Sequence, residues 1–139
     1  MHVQPYLNFD GRCEEALEFY RKALGAEVQM LLRFKDSPDS AAAGRLPPGG
    51  EDKVMHSTFR IGDTVLNASD GHCQGKGGFQ GITLSLTVNS EAEADRYFAA
   101  LADGGEVRMP LAKTFFSPRF GMLADRFGLS WMVYVRGTT

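Results

Sequence analysis

The chain repeats itself once. YLNF at 6–9, a segment containing Phe19-Tyr20 and LGAEV at 24–28 return 78 or 79 positions later as SLTV at 85–88, a segment containing Tyr97-Phe98, and DGGEV at 103–107. A pattern present only twice, at a spacing longer than solenoid units, predicts two copies of one module. Whatever the chain folds into must therefore be built from two similar halves.

Each half reads as a strand, a helix and three strands. In the first, strands are expected at 3–9, 27–34, 53–61 and 64–69, the last two joined by Gly62-Asp63 as a two-residue hairpin. A helix is expected at 13–24, where Ala16, Leu17, Tyr20, Ala23 and Leu24 form one stripe and Gly25 stops it. In the second half, 82–88 alternates strictly, with Ile82, Leu84, Leu86 and Val88 on one face and Thr83, Ser85 and Thr87 on the other. Ser90 to Glu93 reads as a capping box, Ala94, Tyr97, Phe98 and Leu101 supply the helix stripe, and Gly104 closes it. Strands follow at 106–111, 119–124 and 129–135.

The expected fold class is α+β. It is a single domain over 1–139, with module one about 1–70, a glycine-rich connector 71–81 and module two about 82–136. Each βαβββ module is a curved mixed sheet with its helix on the convex side. The uncovered faces then become the walls of an enclosed cavity.

At 43% hydrophobic residues the chain can bury a full core. Net charge is −2, with lysines and arginines scattered among the acids, so nucleic acid and membranes are not expected partners. No apolar run approaches the ~20 residues of a membrane span, and the amino-terminal stretch is unlike a leader, which predicts a cytoplasmic protein. Cys13 and Cys73 lack CxxC spacing and read as two free thiols.

Alternation places Gln4, Tyr6 and Asn8 of the first strand on the cavity wall, with Val54, His56, Thr58 and Arg60 of the third. Val65, Asn67 and Ser69 join them from the fourth, Thr83 and Ser85 from the fifth, and Ser130, Met132 and Tyr134 from the last. Leu7, Phe9, Met55, Phe59, Ile61, Leu66, Leu84, Leu86, Trp131 and Val133 take the core face. The wall is thus polar but almost uncharged. Phe115 and Phe116, on a loop or strand end, read as a cover for a bound molecule.

The paired modules, FDGRCEEALEFY at 9–20, ASDG at 68–71, MPLAKTFF at 109–116 and RFGMLADRFGLSWMV at 119–133 resemble the vicinal oxygen chelate superfamily. That group holds glyoxalase I, extradiol dioxygenases and bleomycin-resistance proteins; the nearer likeness is its PhnB-like branch, often labelled demethylubiquinone methyltransferase-like. Phe116 stands where that branch commonly has Trp, and Tyr134 where it commonly has Asn. The resemblance implies a homodimer. It also implies, for metalloenzyme members, ligands on the first, fourth, fifth and eighth strands, which here are Gln4, Asn67, Thr83 and Met132. Amides, a hydroxyl and a thioether without a carboxylate suit no hard divalent ion, and no Glu or Asp falls on these inward positions for proton abstraction, so neither metal nor cofactor is expected.

His56 reads as a hydrogen-bonded wall histidine instead of a general base, since no nucleophile or carboxylate accompanies it. Asp70 and Asp125 read as Asx-turn residues. The connector GKGGFQG at 75–81 lacks the third glycine of a dinucleotide loop and the Lys-Ser or Lys-Thr of a P-loop. The long stretch 35–52 reads as a mobile cavity rim that a partner subunit partly orders.

The expected function is metal-free binding of a small, neutral, partly aromatic molecule by Gln4, Tyr6, Asn8, His56, Asn67, Ser69, Thr83, Ser85, Phe115, Phe116, Met132 and Tyr134. The alternative is a metal-dependent lyase or dioxygenase using Gln4 and His56, with substrate atoms completing the coordination. Sequestration of a cationic drug would need an acidic crevice, and a methyltransferase would need a nucleotide-binding βαβ unit; neither is found.

Overall fold

A computed structural model describes residues 1–37, 50–71 and 78–136. Two compact units, Met1–Gly78 and Phe79–Thr139, divide the chain. The first contains β1 (Tyr6–Asn8), α1 (Cys13–Leu24), β2 (Glu27–Arg33), β3 (Val54–Ile61) and β4 (Thr64–Ser69). The second contains β5 (Thr83–Val88), α2 (Glu91–Ala102), β6 (Glu106–Ala112), β7 (Phe120–Ala124) and β8 (Ser130–Val135). Strand orders are β1-β4-β3-β2 and β5-β8-β7-β6, with the first pair parallel and the others antiparallel in both sheets. The repeat in sequence is a repeat in space, and the α+β class with two βαβββ modules holds.

Each helix covers one face of its own sheet. From α1, Cys13, Ala16, Leu17, Tyr20 and Leu24 are buried while Ala23 is only half-buried. The Tyr20 ring lies parallel to Phe59 at 6.2 Å and also meets Phe9. Gly25 takes the left-handed conformation, φ 71°, that ends the helix. From α2, Ala94, Phe98 and Leu101 are buried, whereas Tyr97 is half-buried beside the Arg96 guanidinium.

Two buried aspartates tie the turns. Asp70 accepts from the N–H groups of Gly11, Cys13 and Val54 at 2.7–2.8 Å, so it caps α1 from the far end of β4. Asp125 accepts from Phe127, Leu129 and the Trp131 indole at 2.9–3.1 Å. Asp125 is the expected local turn residue; Asp70 is a long-range clamp besides.

Strand boundaries differ from expectation where backbone bonding changes. Strand β1 is shorter than 3–9, although Asn67 N–H still donates to Pro5 O and Phe9 N–H to Ser69 O at its two ends. Phe34 leaves β2 and buries itself in a short 3-10 turn, Phe34–Asp36. More consequential are the bulges. Glu27-Val28-x-Met30 and Glu106-Val107-x-Met109 share a pattern, and in both the register slips by one residue between Val and Met. Gln29 and Arg108 are the extra residues. A further slip sets Leu32 opposite His56 but Arg33 opposite Val54, so Met55 is extra and Val54 changes side. Val54, expected on the wall, is fully buried for that reason.

Candidate functional site

The face of each sheet away from its helix is the candidate surface. In unit one the register aligns Tyr6, Asn67, Thr58 and Met30 across four strands, with Leu32 opposite His56 beside them. Asn67 Nδ2 donates to Gln4 Oε1 at 3.1 Å, and Thr58 Oγ1 donates to Asn67 Oδ1 at 3.0 Å. Tyr6 OH and His56 Nδ1 are 3.2 Å apart, which fits the expected hydrogen-bonded histidine. Asn8 and Ser69 are engaged by turns: Asn8 Oδ1 accepts from Asp10 N–H, and the buried Ser69 Oγ accepts from Gly71 N–H.

Unit two carries three full rows. Ser85, Met132, Met122 and Met109 stand abreast; on one side lie Thr87, Tyr134, Phe120 and Ala112, and on the other Thr83, Ser130, Ala124 and Glu106. The first row is a bed of three thioethers. Hydrogen bonds from Thr87 and Ser85 hold the Tyr134 hydroxyl below the ordinary phenol range. Phe116 meets Phe120 edge-on at 5.1 Å, and Phe120 lies 6.3 Å from Tyr134. Phe115 touches Phe116 but is 99% exposed, so within this unit it covers nothing on the sheet.

Arg108, the bulge residue of β6, reaches over small Ala124 to Ser130, donating from Nη1 at 2.8 Å. Its counterpart in unit one is Gln29, and the guanidinium there comes from Arg60, which pairs with Glu27 at 2.9 Å. Sequence reasoning missed Arg108, Met109, Met122 and Phe120 as wall residues, and Met30 and Leu32 with them. The shared Glu-Val-x-Met pattern was the available signal, since a repeated irregularity marks a repeated bulge.

The ligand positions implied for metalloenzyme members do not fit a metal. Gln4 and Asn67 use their amides on one another, while Thr83 and Met132 offer a hydroxyl and a thioether. Among the described residues no three His, Cys, Asp or Glu side chains are grouped to hold an ion. Residues 72–77 of the connector, His72 and Cys73 among them, and most of the 35–52 rim lie outside the described residues.

A polar depression of about 570 Å³ opens elsewhere in unit one, lined by Gly11, Glu14, Arg33, Lys35 and Asp52 with Asp70 beneath. Its charges satisfy each other: Arg33 pairs with Glu14 at 2.5 Å and holds that carboxyl below its usual range, and Lys35 pairs with Asp52 at 3.1 Å. Nearby Cys13 is buried, and its thiol pKa is pushed up to about 12 by burial and by the Asp70 charge, so it is no nucleophile. No helix among the described residues is long and apolar enough to cross a membrane.

Residues 1–134 match the family model described as 3-demethylubiquinone-9 3-methyltransferase. Protein YjdN of Escherichia coli is 34% identical over 97% of this chain and 95% of its own length. Protein PA1353 from Pseudomonas aeruginosa, a crystal structure, is 43% identical with a TM-score of 0.85, covering 98% of each chain. A putative 3-demethylubiquinone-9 3-methyltransferase, PhnB protein, from Bacillus cereus is 28% identical with a TM-score of 0.80 over 97% of this chain and 99% of its own. The fold is shared further with a glyoxylase/bleomycin resistance protein/dioxygenase domain from Frankia, at 16% identity and a TM-score of 0.65 over 99% and 95% of the two chains.

Proposed function

The chain belongs to the PhnB-like family that this model describes, with the glyoxalase and bleomycin-resistance fold, and on that premise we propose that it binds a small, partly aromatic molecule on its uncovered sheet faces without a metal. The observation that carries the reading is the organised wall, which among the described residues groups no set of metal-ligating side chains. Gln4, Thr58 and Asn67 are linked by hydrogen bonds, as are Tyr6 and His56, while Ser85, Thr87 and Tyr134 stand beside a bed of sulfur and aromatic rings. Preset hydrogen-bonding groups over an apolar floor are the usual composition of a small-molecule site. The protein acts in the cytoplasm as a homodimer.

The methyltransferase wording of the family description gains no support from topology. Neither described sheet is the doubly wound parallel type that binds a nucleotide-bearing methyl donor. The metal-dependent alternative has Gln4 and His56 to work with. Asn67 already occupies Gln4 Oε1 and Tyr6 sits at His56 Nδ1, which leaves few free donors.

Native mass spectrometry of the full chain, purified without chelator and then exposed to zinc, nickel and iron(II), decides between them. The expected result is a dimer carrying an organic adduct and taking up no stoichiometric metal. One tightly held ion per chain would reverse the ranking.

A further inference from the structure

Alternation alone predicts a neutral ligand, but the β6 bulge places a guanidinium on the wall. Arg108 donates to Ser130 at 2.8 Å, and among the described residues no carboxylate pairs with it, Glu106 at the exposed edge of the same row included. The corresponding end of unit one is neutralised, because Arg60 there is matched by Glu27. Alternate residues along a strand are ~7 Å apart, so the Ser130, Met132 and Tyr134 rows set a cation, a thioether bed and a hydroxyl in sequence over roughly 14 Å.

We propose that this face of unit two takes an aromatic acid, its anionic group on Arg108 and Ser130, its ring on Met109, Met122 and Met132, and any second oxygen toward Tyr134. The assignment rests on the binding reading above and names the ligand class. Thioethers are polarizable and flexible enough to conform to a ring. Arg108 is exposed and commits only Nη1 to Ser130, which leaves its other N–H groups for a carboxylate or similar oxyanion in charge-assisted contact. The Tyr134 hydroxyl, polarised by Thr87 and Ser85 beside it, can donate to an acceptor on the ligand.

The test is calorimetric titration of the full-length protein with naphthalene-2-acetate and with its uncharged amide. The acid should bind about tenfold more tightly, the scale of one charge-assisted contact. Arg108→Gln should bring the two to parity, Arg108→Lys should keep most of the preference, and Met122→Ala should weaken both alike. Parity in the unaltered protein, or a preference that survives Arg108→Gln, overturns the acid site but leaves small-molecule binding standing. No binding of either compound overturns the acid site and the aromatic-ligand reading together.

Discussion

Units one and two share strand order, parallel and antiparallel pairing, and even the place of a bulge, yet they finish their uncovered faces differently. Unit one spends its side chains on a connected polar set, Gln4, Asn67, Thr58, Tyr6 and His56. Unit two sets Met109, Met122 and Met132 abreast where unit one has Met30, Thr58 and Asn67. The frame is set by alternation, helix stripes and turns, none of which constrains the outward positions of the sheet. Duplication therefore keeps the frame and leaves those positions free to diverge. That is why the fold is common to remote relatives while the wall is where activity must be sought.

The frames also differ at one backbone approach, and the largest expected effect is there. Ala26 and Gly105 hold the same place in LGAEV and DGGEV. A Cβ on Gly105 would lie 2.2 Å from Ala124 O, a backbone atom that cannot rotate away, whereas Ala26 is buried with its methyl accommodated. Gly105→Ala should cost about 3 kcal/mol or more by urea unfolding, and Ala26→Gly only about 1 kcal/mol. Equal losses at the two sites would show that the units are tighter equivalents than their strand contacts imply.

Next in size are the aspartate clamps. Asp70→Ala strips partners from three N–H groups, two of them 57 and 59 residues away in sequence. Asp125→Ala strips two N–H groups and an indole within six residues. Leaving buried donors unmet costs about 1–3 kcal/mol each, offset where water enters. Both variants should thus lose several kcal/mol, but the pattern should differ. In a Cys73→Ser background, Ellman's reagent should not touch Cys13 until unit one opens, and Asp70→Ala should accelerate that reaction while Asp125→Ala leaves it unchanged. Equal acceleration would mean the units open together.

A smaller effect contrasts the helix starts. Ser90 Oγ accepts from Glu93 N–H and meets the Glu93 carboxylate, whereas Arg12 at the same place of α1 provides no side-chain cap. Ser90→Ala should cost about 1 kcal/mol in thermal unfolding and Arg12→Ala a few tenths at most. A comparable loss from Arg12→Ala would show that its exposed pairing with Glu15, and not Asp70, secures that helix.

What was legible in the sequence follows the same division. Helix stripes and alternating strands depend on neighbours a few positions away, so 13–24, 64–69 and the last strand could be read directly. Bulges at Gln29, Met55 and Arg108 depend on how partner strands run, and each inverts or redirects side chains that alternation assigns simply. Hence alternation puts Val54 on the wall, where the fold buries it, and leaves out Arg108, whose guanidinium reaches Ser130 and pairs with no carboxylate among the described residues. Asp70 was read as a turn residue because its three amides come from segments that only the fold brings together. Asn8 and Ser69 were credited to the wall, although local turns engage them.

The smallest expected effect probes the polar end of the unit-two wall. Thr87 and Ser85 lower the Tyr134 pKa from its ordinary 10.0. As pH rises through the lowered value, the folded chain releases this proton first and the unfolded chain holds more, so stability rises slightly until about pH 10 and then levels. Tyr134 is half-buried and its shift is modest, so the gain should be near the limit of detection. The titration itself is easier to read. Absorbance near 295 nm should show one of the four tyrosines ionising early, and Tyr134→Phe should remove that step. The double variant Ser85→Ala, Thr87→Val should return it to the ordinary range. An early step that persists without Tyr134 would move the polarised phenol to another tyrosine, and with it the proposed second anchor of the ligand.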